Sequence, residues 1–582
     1  MGGRASSPVC IVGGGPVGLT LALFLDLFDV KSVVFNIDKT TRWHPKGNGQ
    51  SSRSMEHFRR LGIVDEVREL GIPQDHPFDH GVFTRLSTHE IFRFHRPTQA
   101  QRLATRLTTP STDQYVEPTY HMNQMYLERA LHERAKARSN ITLCFGWSVE
   151  RFSQDDAGVT LRARSLDAGE EVDWRASYVA ACDGAQGKIR RELGIAYEGD
   201  VSTQDYYSGR LYSIYMRIPD LLPKFLGQRR AWMYWTLNDD ASGLIISLNG
   251  ADEFMMLAKP NADEGKMNAA EVQRWVQRAI GADIPVEIIS YQPWNAGAAL
   301  VAGHYVSGRI ALAGDSAHLF TPTGGFGMST GIDDTSNLAW KLAALVQGWG
   351  GPELLQSYEI ERKPIGHRNT GAARYIARNW HAPEATPDLE SAGPAGEAAR
   401  REARNSSYVK DNHFFREEEV DATGVQLGAR YDGSPVIVPD GEPPSDNLDE
   451  YIPSGVPGGR APHLWLDTPH LPGTSLFDRL CVGFTLLRFG DTGFDADPLA
   501  RAAKARGVPF AVLDVALPEA RALYGRKLAL IRPDQYIAWR GDRLPDDPDA
   551  LLARVTGFVA RTEPRAAAQT NEKLWKEDTI VD

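Results

Sequence analysis

The spacing of hydrophobic positions changes several times along this chain, and the changes divide it into regions. Residues 9–12 form a solid apolar run, 16–28 an apolar stretch of helical length and 32–37 a second solid run, with Gly13, Gly14 and Gly15 between the first two. Short continuous runs of this kind suit strands buried on both faces of a parallel sheet, so the opening reads as strand, helix, strand. Helices are expected over 54–70 and 123–136. In the latter, Met125, Leu127, Leu131 and Ala135 make a broken apolar stripe. From about residue 142 the period moves toward two, and a strand over 178–181 ends at Asp183 and Gly184. Between 200 and 295, Tyr, Trp and Met crowd strand-like runs such as 244–248, which predicts an inserted antiparallel sheet with one helix near 270–280. A strand over 309–313, a Gly-rich loop and a helix over about 333–349 return the chain to α/β order.

After residue 378 the hydrophobic period is lost. Residues 381–407 mix Pro, Ala, acids and Arg as a linker or weakly packed helix would, and a Pro/Gly-rich bridge runs to about 462. Strands are expected again over 484–489, 510–515, 528–531 and 536–539, with helices near 498–506 and 549–562. That order suggests a small thioredoxin-like domain. It carries no CxxC pair, so disulfide exchange is not expected of it, and packing or dimer contact is the better reading.

Composition narrows the partners. The chain has 582 residues, enough for several domains, with 42% hydrophobic and 24% charged residues, which is ordinary globular usage. A net charge of -11 opposes non-specific attraction to nucleic acid or to an anionic lipid surface, so neither is an expected partner. Cys10, Cys144, Cys182 and Cys481 lie far apart, which fits neither a metal site nor a disulfide framework and points to a reducing, cytoplasmic setting. The apolar stretch 9–28 is broken by glycines and reads as neither signal peptide nor membrane span.

The segment Gly13-Gly14-Gly15-Pro16-Val17-Gly18 follows a strand and opens a helix. There, backbone N–H groups and the helix dipole can meet a pyrophosphate, so Gly13, Gly15 and Gly18 are candidate dinucleotide-binding positions. An acidic residue is expected at the end of the second strand to bind ribose hydroxyls. Asn36 stands there instead, with Asp38 two residues on; Asn can donate to and accept from a hydroxyl, and Asp38 is the substitute.

Two later segments join the glycine motif. One is Val179-Ala180-Ala181-Cys182-Asp183-Gly184. The other is Ala311-Leu312-Ala313-Gly314-Asp315-Ser316-Ala317-His318, followed by Pro322-Thr323-Gly324-Gly325-Phe326-Gly327-Met328 and Asn337-Leu338-Ala339-Trp340-Lys341-Leu342. In this order they resemble the motifs of the FAD-dependent aromatic hydroxylases, the class A flavoprotein monooxygenases of phenol-hydroxylase-like arrangement. The likeness is strong over about residues 8–375 and looser through Tyr431-Asp432-Gly433-Ser434-Pro435 and Pro457-Gly458-Gly459-Arg460-Ala461-Pro462-His463. It implies an α/β fold with a Rossmann-like FAD-binding domain (1–200 and 296–380, with substrate-side segments near 75–120). Interleaved with it would be a substrate-binding β-sheet domain (201–295), followed by a linker and bridging segment (381–465) and the thioredoxin-like domain (466–582).

The resemblance also implies roles. Asp315 would contact the ribityl or pyrophosphate part of FAD. Pro322, Gly324, Gly325, Gly327 and Met328 would wrap the isoalloxazine edge, where side-chain-free glycines let the backbone approach a flat ring. Asp183 is a cofactor contact or a turn residue. Arg53 matches a cofactor-contacting arginine, with a surface salt bridge or cap as the plain alternative, and Gln124 matches a glutamine near the ribityl chain.

Activity follows as an implication: NAD(P)H, either NADPH or NADH, reduces FAD, O₂ adds to give a flavin hydroperoxide, and one oxygen passes to an electron-rich aromatic ring. A base must help remove a phenolic proton. Aligned on Arg53, Asn48 takes the place where family members often carry an aspartate, so His44 becomes the nearest base candidate, against the reading of a plain loop histidine. Tyr215 and Tyr234 are candidates to bond the substrate hydroxyl, and Trp232 or Trp294 to wall its pocket. No basic cluster marks a carboxylate site, which favours a neutral phenol or polycyclic ketide. A homodimer is what the resemblance suggests. Baeyer–Villiger or epoxidising chemistry on the same fold, a nicotinamide dehydrogenase, and a flavin-bound non-catalytic interaction protein are the alternatives.

Overall fold

The structure is a computed structural model that describes residues 3–105, 114–200, 210–258, 267–295, 298–379, 385–405, 422–466, 474–490 and 494–558. The opening strand is Gly3–Val12, longer than expected, followed by helix Pro16–Leu27 and strand Ser32–Asn36. Pro16 occupies the first helical position, where a missing N–H costs nothing, and Leu19 through Leu25 are all buried, as in a helix covered on every side. Gly3–Val12 pairs in parallel with Ser32–Asn36 on one side and Glu171–Ala181 on the other. Ile310–Leu312 adds in parallel beyond Glu171–Ala181, and Ile141–Phe145 beyond Ser32–Asn36, so the core of the eight-stranded sheet is a doubly wound α/β layer.

Helix Pro16–Leu27 lies against this sheet and a longer helix packs on it in turn. The expected helix at 333–349 runs instead over Phe326–Gln347, seven residues earlier. Gly327 and Gly331 argue against helix by propensity, but Gly331 sits against Gly314 Cα and Val17, where any Cβ would collide. Close packing on helix Pro16–Leu27 therefore overrides propensity. The expected helix 54–70 is broken into Ser52–Arg60 and Val64–Glu69, because Gly62 turns the chain at φ 70°.

A seven-stranded sheet stands beside the first. Its order is Glu287–Asn295, Arg210–Arg217, Glu253–Ala258, Gly243–Ser247, Met233–Thr236, His80–Phe83 and Glu90–Phe94. One face packs on helix Ala269–Ile280, which an Asn268/Glu271 capping box starts and Gly281 ends in the left-handed region. Val272, Trp275, Val276, Ala279 and Ile280 form its buried stripe, each large side chain contributing on the order of 1.5–3 kcal/mol. The other face is open to the site described below.

The segment expected as linker or loose helix holds a helix, Gly393–Asn405, docked on this sheet. Leu389 is buried in the sheet's cluster, Ala399 and Ala403 pack against it, and Arg85 makes a two-pronged ion pair with Glu390. In the C-terminal domain, Phe484–Phe489 pairs in parallel with Phe510–Val515 and antiparallel with Leu528–Ile531, which continues to Ile537–Gly541. This mixed four-stranded order is thioredoxin-like. The expected helix at 549–562 is Pro548–Val555, and its expected tail beyond 558 lies outside the described residues. No described helix is long and apolar enough to cross a membrane.

Candidate active site

Strand register decides where the motifs meet. Val12 lies opposite Phe35 and Ala181, and Ala181 opposite Leu312, so four parallel strands end level. The residues that follow them, Gly13 to Gly15, Asn36, Cys182 to Gly184 and Ala313 to Asp315, emerge along one carboxyl edge, where open α/β sheets bind ligands. All of them but Gly314 line a continuous cavity of about 1590 Å³ that extends to the open face of the seven-stranded sheet.

At the edge, each glycine has a distinct steric reason. Gly13 has φ 114°, and a Cβ there would overlap the Cys182 carbonyl. A Cβ on Gly18 would overlap the Gly13 carbonyl, so the pair lets the helix sit close on the strand. Gly15, the N-cap of helix Pro16–Leu27, faces open space toward the cavity, and no side chain caps that helix. Gly325 likewise precedes helix Phe326–Gln347 at φ 67° with open space before it and no side-chain cap. Two uncapped helix N-termini on one cavity form a donor set suited to a pyrophosphate at one end and an electron-rich ring edge at the other. The residues present fit FAD.

The candidate cofactor residues divide. Gly15, Asp38, Gln124, Asp183, Asp315, Pro322, Gly324, Gly325, Gly327 and Met328 all line the cavity. Asn36 lines it too, but its amide is spent on the protein: Oδ1 accepts from Gly14 N–H at 3.1 Å and Nδ2 donates to the Asp38 carbonyl at 3.1 Å. Asn36 therefore holds the glycine loop on the second strand. Asp183 accepts from Ile189 N–H at 3.0 Å and from Ser316 Oγ at 2.9 Å, the work of a turn residue that also joins two motifs. Gln124 donates to Glu128 at 2.6 Å, and Asp315 lies 3.6 Å from the Lys46 ammonium, half exposed.

Arg53 is a correction. It does not reach the cavity; it is 2% exposed, and its guanidinium meets Asp333 at 3.3 Å, Glu56 at 3.0 Å, Gln535 Oε1 at 2.7 Å and the Asp534 carbonyl at 2.8 Å. Helix Ser52–Arg60 turns this residue toward the C-terminal domain, whose tight turn before strand Ile537–Gly541 supplies Asp534 and Gln535. Burial alone would raise the Asp333 pKa, but Arg362, His57 and Arg53 more than offset it and hold the carboxyl well below its ordinary range. Beside it, Asp334 accepts from Gly314 N–H at 3.1 Å and pairs with His318 and Arg362. Glu361 gathers Lys341, Arg532 and Asn337. Burial lowers Lys341 to about 8 although Glu361 opposes it. Asn337 and Lys341 of the third motif are thus internal ties that hold the long helix to both neighbours.

The chamber at the far end follows from pleat parity. Ser213, Leu257, Leu244 and Trp235 lie opposite one another across successive strands, as do Met255, Ile246, Met233 and His80, and both rows line the cavity. Trp294 and Trp232 line it as well. Tyr234 has the opposite parity. It is fully buried on the face under helix Ala269–Ile280, and its hydroxyl accepts from Ala231 N–H at 2.8 Å, so it cannot touch a ligand in the cavity. Tyr215 is on the right face, yet its hydroxyl donates to Glu253 at 2.9 Å outside the cavity lining; burial and that carboxylate raise its pKa.

His44 stands behind the wall. Its Nε2 is 2.9 Å from Ser213 Oγ and its Nδ1 2.6 Å from Ser290 Oγ, so it reaches the cavity only through Ser213. Burial, with the Arg42 charge, lowers it to about 4. Asn48 lines the cavity with Oδ1 accepting from Asn123 Nδ2 at 2.5 Å. Sequence reasoning missed Ser213, His80 and His121. Ser213 was within reach, two residues before Tyr215 on the same strand face; His80 and His121 come from segments with no local signal. Among the described residues no group of His, Cys, Asp or Glu is placed to hold a metal ion.

Comparison with known proteins gives a consistent picture. Residues 6–373 match the model described as FAD binding domain, and 454–560 the one described as aromatic-ring hydroxylase, C-terminal. The chain is 31% identical to FAD-dependent monooxygenase apdD of Emericella nidulans, over 94% of this chain and 90% of that protein. It is 30% identical to the tetracenomycin A2 monooxygenase-dioxygenase of Streptomyces glaucescens, over 95% and 98%. Among solved structures, the rebeccamycin biosynthetic enzyme RebC with reduced flavin superposes with a TM-score of 0.82 at 33% identity, covering 96% of this chain and 100% of that one.

Proposed function

Because the chain belongs to the FAD-binding-domain family of aromatic-ring hydroxylases, we propose that this flavoprotein monooxygenase hydroxylates a neutral phenolic or polycyclic aromatic substrate with NAD(P)H and O₂. The observation that carries the reading is the continuous cavity from the glycine edge to one face of the seven-stranded sheet. Its sheet end is walled by Trp, Met, Leu and Ile, and none of the cavity-lining residues on the described strands of that sheet is Lys or Arg. Such a surface buries flat rings and offers no clamp for a carboxylate. Relatives described as polyketide hydroxylases, from Streptomyces halstedii and Streptomyces coelicolor, agree with a ketide guest.

When bound, FAD supplies the redox chemistry that splits O₂ between ring and water, for an overall balance of ArH + NAD(P)H + H⁺ + O₂ → ArOH + NAD(P)⁺ + H₂O. The chain's own residues do the rest. Gly13, Gly15 and Gly18 would let a helix N-terminus meet the pyrophosphate, and the backbone from Gly324 to Met328 would hold the ring edge. Trp232, Trp235 and Met233 exclude water and orient the guest. Ser213 takes the phenolic proton while passing its own to His44, which hands one on at its other nitrogen toward Ser290. With its pKa near 4, His44 conducts a proton without storing it. The four free cysteines suit a reducing, cytoplasmic setting, and a homodimer is carried over from the resemblance.

The test is turnover of 1-naphthol by the FAD-loaded enzyme under ¹⁸O₂. One labelled atom in a dihydroxynaphthalene, with NAD(P)H consumed in step, is the expected result. No phenol-dependent NAD(P)H consumption across a panel of mono- and polycyclic phenols would overturn the reading.

A further inference from the structure

The chamber contains a polar group that neither the motifs nor the proton path uses. His121 comes from the segment before helix Gln124–Lys136 and lines the cavity beside Trp232, with the two rings edge to face at 4.0 Å between centroids. Phe78 closes on it at 4.6 Å. The residue is 6% exposed, and its Nδ1 is buried without a hydrogen-bond partner. No described residue bonds its other nitrogen. A buried imidazole nitrogen without a partner is costly, and Nε2, which is not enclosed in the same way, is left for a ligand in the cavity to meet.

Resting on the hydroxylase reading above, we propose that His121 positions the substrate by donating a hydrogen bond to a phenolic oxygen or ring carbonyl lodged against Trp232. The tautomer follows from burial. A lone pair at the enclosed Nδ1 is tolerated better than an orphaned N–H, which leaves the hydrogen on Nε2. Burial and the charges of Arg102 and Arg96 keep the ring neutral, with His80 close by also neutral. The same burial that repels a proton from His121 disfavours charge on a guest oxygen at its N–H, so this hydrogen bond acts on position rather than on ionisation. A phenolic or carbonyl oxygen held there fixes how the guest ring lies against Trp232. Ser213 sits three strands away from the strand that Trp232 leads into, about 14 Å at ~4.8 Å per strand, so the Ser213–His44 path meets a different oxygen of an extended guest.

The experiment compares 1-naphthol with naphthalene as ligands of the FAD-loaded protein, read by tryptophan fluorescence and by the flavin difference spectrum. Wild type binds 1-naphthol at least 10-fold more tightly than naphthalene. His121→Phe, which keeps a ring against Trp232, loses about 10- to 100-fold for 1-naphthol and leaves naphthalene binding unchanged. His121→Gln, which keeps a donor, recovers part of the loss. Equal wild-type affinity for the two ligands, or equal loss of both in His121→Phe, overturns the role of His121. Because binding is read without turnover, that result stands apart from failure of the hydroxylase reading, which the labelled-oxygen assay reports.

Discussion

Arg53→Ala tests whether this arginine holds the fold or the cofactor. In the structure its guanidinium is buried and meets two carboxylates, one amide oxygen and one carbonyl, two of the four belonging to the C-terminal domain. Removing it does not strip the carboxylates bare. Asp333 keeps Arg362 and His57, and Glu56 keeps Arg460. What is lost is one cation of a coupled cluster and the partner of Gln535 and the Asp534 carbonyl, for which the cost of breaking a buried pair, about 3–5 kcal/mol, is the appropriate scale. For a cooperative unit of 150–250 residues that lowers the melting temperature by roughly 6–20 °C. The assay is melting of the FAD-free protein, with FAD affinity measured separately on variant that remains folded. Arg53→Lys should fall between wild type and Arg53→Ala, since an ammonium keeps the charge and loses the planar fork. An unchanged melting temperature with a 10-fold or greater loss of FAD affinity would refute the argument and return Arg53 to the cofactor.

Two further outcomes are expected. Tyr234→Phe should cost about 1 kcal/mol through the lost Ala231 hydrogen bond and leave turnover unchanged, whereas Ser213→Ala should slow turnover at least 10-fold with FAD absorbance intact; the reverse pattern would reject the proton path. Stability should also fall as pH falls from about 6.5 toward 4. Burial, with Arg42 and Arg53 respectively, lowers His44 and His57 to about 4, and holds His80 and His121 well below the ordinary value, so the unfolded chain takes up protons that the folded one refuses. Each histidine contributes up to about 1.4 kcal/mol per pH unit over that interval. A melting temperature flat between pH 7 and 5 would show that these rings are not held neutral.

What the sequence determined by itself is the set of local rules. Apolar runs located the strands Phe484–Phe489, Phe510–Val515 and Leu528–Ile531 to the residue, and the glycine segment located the first helix, because burial and backbone freedom act within a few positions along the chain. The motifs also marked the pieces that meet at the cavity. Tertiary structure decided where individual side chains point. Trp232 and Tyr234 share a parity in sequence, but the strand begins at Met233, so Trp232 lies before it and reaches the cavity while Tyr234 turns away beneath a helix. Arg53 finds its partners almost five hundred residues downstream, and the long helix begins at Phe326 because Gly314 and Val17 leave no room for a side chain at Gly331. His121 gains its place only when the chamber closes around it. Spacing along a chain fixes which face an element buries, but pairing register and distant contacts fix what each face meets, and chemistry depends on the latter.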